Sequence, residues 1–167
     1  EGTSFSFQSS SSEINLYNIH YVKIDSRNDK IKAGNVNEIV GMGRFTDLEA
    51  ERITRNVDLK FEFGEIWLSQ IEQKFQSINL IGKSTDFNLV LNQASYIQSS
   101  IRGDEDKMIV PNSMLSLTRD FNEEDETVRL TGMVGPTQDF ISKLTLDADG
   151  GDVIISIKET PIFTDRR

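Results

Sequence analysis

The 167-residue chain is long enough to bury a real core, and with 37% hydrophobic residues it is too apolar for a disordered segment. Its formal net charge of −9 repels phosphate backbones and anionic lipid, which argues against nucleic-acid and membrane-surface partners. It holds no cysteine, which excludes disulfides, thiolate metal sites and cysteine nucleophiles. No apolar run approaches the ~20 residues that a membrane helix needs.

The chain opens at Glu1 with no Met and no charged-then-apolar leader, as expected of a mature or trimmed chain whose targeting segment is removed or missing. Residues 1–13 read as an N-terminal cap, in which "TSFSFQ" alternates serine with Phe5 and Phe7, as a first strand or a cap would, and "QSSSSE" forms a turn. From residue 14 a phrase recurs: a small or acidic pair, then apolar, any residue, apolar. Its anchors are Ile14, Ile31, Leu48, Ile66 and Phe87, with weaker copies at Met108 and Val128 and a strong one at Val153. The steps between them are 17, 17, 18, 21, 21, 20 and 25 residues. A second series, Val22, Ile39, Val57 and Ile78, advances by 17, 18 and 21 residues. Two anchors that drift together define a repeat.

Each phrase alternates apolar with polar, the period of a strand. Seventeen residues are too few for the helix pair of a helical repeat but enough for one coil of short strands. The bends are expected at Gly, Asn, Asp and Ser, in "SRND", "AGNVN", "GMGRF" and "FEFGE". The expected fold is therefore all-β: a parallel β-helix or β-solenoid of about seven short coils, capped at both ends and roughly 35 Å long at ~4.8 Å per coil. Ile14, Ile31, Leu48, Ile66 and Phe87 would stack as one inward column. Leu16, Ala33, Ala50, Leu68 and Leu89 would form a second, and Val22, Ile39, Val57 and Ile78 a third. The outward positions between the first two columns read Asn15, Lys32, Glu49, Trp67 and Asn88. Regular coils span 14–97, irregular coils with acidic loops span 98–129, and C-terminal coils and a tail holding Pro161 span 130–167. With no linker between them, 1–167 reads as a single domain.

Motifs for catalysis are sparse. Asp104, Glu105 and Asp106, and Glu123, Glu124, Asp125 and Glu126, are consecutive runs expected on solvated loops. "DADGGD", Asp147 to Asp152, alternates oxygens and glycines like a calcium loop, but it lacks the downstream bidentate Glu and reads as a turn between strands. His20 is the single histidine and sits before a strand as a surface or turn residue. No G-x-S-x-G occurs, and "GMG" at 41–43 is followed by no Lys-Ser/Thr, so neither a triad nor a phosphate loop is expected. Nothing calls for a metal or a cofactor. Trp67 stands apart, because an outward aromatic among polar side chains can stack on a sugar ring or anchor an interface.

The phrases "IDSRNDKIKAGNVNEI", "GMGRFTDLEAERI", "VDLKFEFGEIWLSQIEQKFQSINLIGKSTDFNLVL" and "GMVGPTQDFISKLTLDADGGDVIISI" resemble the adhesin domains of Bacteroidetes envelope proteins. The likeness runs over roughly residues 14–158 and departs from the pattern at 103–127. It implies a right-handed, single-stranded β-solenoid, export to the cell envelope or outer surface, and an adhesive or binding role, with no catalytic residues to carry over. The expected function is a non-enzymatic envelope module presenting an extended face to a glycan or surface protein, with Trp67, Glu49, Asn88 and Lys32 as the ligand surface and self-association open. The alternatives are a β-helix carbohydrate-active enzyme and a purely structural spacer.

Overall fold

The computed structural model describes residues 3–158; Pro161 and the tail around it lie outside them. The described chain is all-β, with eleven strands joined in one sheet that mixes parallel and antiparallel pairs. They are β1 (Ser4–Ser10), β2 (Glu13–Leu16), β3 (Ile19–Arg27), β4 (Lys30–Leu68), β5 (Ser77–Asn92), β6 (Ile97–Asp104), β7 (Met108–Ile109), β8 (Thr118–Asn122), β9 (Thr127–Val134), β10 (Ser142–Asp149) and β11 (Val153–Lys158). Two single 3-10 turns, Glu105–Lys107 and Asn112–Met114, are the described helical elements.

The repeat period is the pairing register. β1 lies parallel to β3 with Ser4 opposite Tyr21, β2 to β4 with Glu13 opposite Lys30, and β3 to β4 with Ile19 opposite Val36. Further on, β4 lies parallel to β5 with Asn56 opposite Ser77. Side chains repeat the same interval: Asn35 donates to Asn18, 17 residues back, and Asn79 donates to Asp58, 21 residues back. The segment expected as a cap therefore contributes Ser4–Ser10 to the same ladder as the strands that follow.

Alternation selects the inward face. Ile31, Leu48, Ile66 and Phe87 are buried, as are Ala33, Ala50, Leu68 and Leu89, and Val22, Ile39, Val57 and Ile78. Only the first members, Ile14 and Leu16, are partly exposed, because they stand at the end of the stack. Two buried rings fill the space that glycines leave free. A Cβ on Gly43 would lie 2.8 Å from the Phe61 ring, and one on Gly82 would lie 2.5 Å from the Phe87 ring.

One bend keeps the same backbone in successive repeats. Ser11, Asn28, Phe45, Phe63 and Ser84 have φ of 56°, 57°, 53°, 56° and 46°, and Gly150 has 74°. The registers set these residues in line along the sheet. Inside this corner Asp29 is buried; it accepts the Ser9 and Ser26 hydroxyls at 2.5 Å each, and the Ser12 amide at 2.7 Å.

The order in space departs from the order in sequence after Phe87. In sequence the anchors run Phe87, Met108, Val128, Val153. In space Val153 lies opposite Phe87 on one side and Met108 on the other. β10 likewise lies between β5 and β6, with Leu144 opposite Ile78 and Ser99. The chain skips one strand position after β5 and fills it with its C-terminal strands. Val128 lies on β9, which runs antiparallel to β6 and β8, opposite Gly103 and Phe121. Within residues 98–129, β6 still lies parallel to β10, and the parallel pattern breaks after it, where β9 runs antiparallel to β6 and pairs with β8.

Candidate functional site

The ladder carries the outward residues into a row. Asn15 stands opposite Lys32 and Trp67 opposite Asn88. Ile66 and Leu68 are fully buried while Trp67 between them is 42% exposed. Lys32, Glu49 and Trp67 line one open depression of about 180 Å³, together with Lys30, Asp47 and Glu65. A second depression of about 260 Å³ adjoins it and shares Lys32 and Glu49, with Asn15, Tyr17 and Glu51 beside them. Asn88 lies on the far side of Trp67, next to the exposed Ile154, and outside the lining of both.

The residues that sequence reasoning missed are Lys30, Asp47 and Glu65. They precede each inward anchor by one position, so the same repeat that exposes Lys32, Glu49 and Trp67 also exposes them; the signal was the neighbouring outward column. In that column Glu65 stands opposite Asp86. Partial burial, with Asp47, Asp86 and Glu49 nearby, holds the Glu65 carboxyl above its ordinary value. The surface thus combines one indole face, two lysines and three carboxylates.

The other marked groups are engaged elsewhere. Arg102 binds Asp147 at 2.8 Å and Asp125 at 2.7 Å, so one acid of "DADGGD" and one of the 123–126 run share a cation. Gly150 takes the left-handed corner, and the Asp152 amide donates to Asp86 at 2.9 Å, which makes this motif a bend of the ladder. Lys107 pairs with Asp104 at 2.9 Å, and Arg119 pairs with Glu105. The exposed His20 meets the Asn37 amide at 2.9 Å through Nδ1. Among the described residues no group of three or more His, Cys, Asp or Glu is arranged to hold a metal ion, and no helix is long and apolar enough to cross a membrane.

Comparison with known proteins returned no match to a protein-family model, a curated protein or a solved structure.

Proposed function

We propose that the chain is a right-handed, single-stranded β-solenoid of about seven coils that serves as a non-enzymatic binding module of the cell envelope, presenting the Trp67 face to a glycan or a surface protein. The parallel registers at intervals of 17 and 21 residues support the solenoid. The likeness of the repeat phrases to envelope adhesin domains supports the location and the adhesive role.

One observation carries the binding role: Trp67 is held outward by two buried neighbours, over a depression whose lining mixes amines and carboxylates. An indole supplies a flat apolar face for the C–H side of a sugar ring, and the surrounding groups meet its hydroxyls. A glycan array probed with the chain and with Trp67→Ala tests this. Binding that survives Trp67→Ala moves the site elsewhere. A carbohydrate-active enzyme is the second reading. It draws on the raised Glu65 carboxyl, the property of a general acid. Release of reducing ends or unsaturated products from polysaccharides, abolished by Glu65→Gln, is the result that would favour it.

A further inference from the structure

Phe45 and Phe63 occupy the left-handed corner, where their counterparts are Ser11, Asn28, Ser84 and Gly150. Asn and Gly suit that backbone, and a bulky residue there is a steric outlier. Both rings nevertheless point outward, 49% and 37% exposed, stacked with centroids 5.0 Å apart and planes 11° apart. The Arg44 guanidinium lies 5.5 Å from the Phe45 centroid and pairs loosely with Glu62 at 3.7 Å. Two strained corners thus hold aromatic surface in water, where cheaper residues would make the same bend. Such strain at exposed side chains points from structure to function.

The neighbouring corners define what fits. Beyond Phe63 come Ser84 and then Gly150, whose absent side chain faces the Ser84 hydroxyl at 3.8 Å. Two small corners in succession leave about 10 Å of free length beside the ring pair, at ~4.8 Å per strand. Lys83 and Asp149 stand on one side of these corners, Asp86 and Asp152 on the other. Three carboxylates, one amine and a serine match hydroxyl groups. They disfavour a polyanion, and they disfavour a second copy of the same acidic corner.

We propose that Phe45 and Phe63 form a stacking platform for a neutral pyranose ring of a polysaccharide, with Ser84, Asp86 and Lys83 meeting its hydroxyls. The inference rests on the reading of the chain as a glycan-binding module and assigns a further sugar contact, at the corner and not at the Trp67 face. The C–H face of the sugar would lie on Phe63, on the side of its ring away from Phe45.

The test is affinity electrophoresis of the full chain in gels containing laminarin, xylan, mannan or galactan, with alginate and polylysine as charged controls. Retardation by at least one neutral polysaccharide is expected. Phe63→Asn should weaken it at least tenfold while leaving the thermal midpoint unchanged or higher, and Phe63→Tyr should retain it. A lower midpoint in Phe63→Asn makes the rings supports of the fold and overturns the proposal. Retardation by alginate or polylysine alone, or by none of the gels, overturns it as well. Trp67→Ala in the same gels separates the two sites. Loss there with Phe63→Asn unaffected sinks the corner and leaves the Trp67 face; the converse sinks the Trp67 face and leaves the corner.

Discussion

Two carboxyl groups show how position in the ladder sets chemistry at the residue scale. Burial pushes the Asp29 carboxyl up, but bonds from Ser26 and Ser9 and from the amides of Ser12 and Arg27 outweigh it and hold the group below its ordinary value of 3.8. Its folded form therefore adds stability above about pH 4, which is lost as pH falls through the lowered value. Asp29→Asn should cost about 2 kcal/mol near pH 7, since bonds to a charged acceptor are exchanged for weaker ones. Urea unfolding of both proteins from pH 7 to pH 3 should find the difference shrinking at the acid end. Glu65 shifts the opposite way, because burial and its acidic neighbours disfavour its charge. Its ionised form opposes folding at neutral pH, and that opposition fades as pH falls through the raised value. Trp67 lines the same depression and is the chain's single tryptophan, so its fluorescence should titrate with a midpoint above the ordinary 4.5. A step that persists in Glu65→Gln would assign it to another acid.

At the scale of the element, strand alternation separates residues that support the fold from residues that face solvent. Ile66 is fully buried opposite Phe87, while Glu49 is exposed on the outward row. Ile66→Asp places an unpaired charge in the core and should cost several kcal/mol, enough to unfold or aggregate the chain. Glu49→Lys should stay within about ±0.5 kcal/mol, as surface exchanges do. Thermal melts of the two variants check the contrast, and equal losses would reverse the inward and outward assignment. Glycine acts at this scale too. Gly41 has φ of 143°, and a Cβ there would lie 2.0 Å from the Ile24 carbonyl oxygen, so its strand passes the neighbour only without a side chain.

For the whole molecule, the decisive feature is the C-terminal pair β10–β11 seated between strands that precede it in the chain. Leu146 lies opposite Leu80 on one side and Ile101 on the other. This strand completes hydrogen bonding for two others, so the ladder is continuous between β5 and β6 only with β10 in place. Leu146→Asp should therefore cost about 4 kcal/mol or more, beyond the usual range for one substitution. Hydrogen exchange should find the β6 and β9 amides unprotected in that variant while β3 and most of β4 stay protected. Protection lost evenly along the chain would mean that the ladder behaves as one cooperative unit with no division at β10.

The inward columns from Ile31 to Phe87 and the outward position of Trp67 were legible in the amino-acid sequence, because alternation and a fixed period are local properties of the chain. The corner was legible only in part. "SRND" has its bend at Asn28, but in "GMGRF" and "FEFGE" the corner, with φ of 53° and 56°, falls on Phe45 and Phe63 and not on Gly43 or Gly64. Composition favours glycine at such a bend; the register with Asn28 decides which residue stands there. The neighbours of Phe87 were not legible at all. Val153, Met108 and Val128 carry similar phrases, and such phrases state which residues are equivalent, not which strand lies beside which. Tertiary structure placed Val153 next to Phe87 and sent Val128 into an antiparallel hairpin, because pairing over such sequence distances is decided by non-local contacts that no local pattern records.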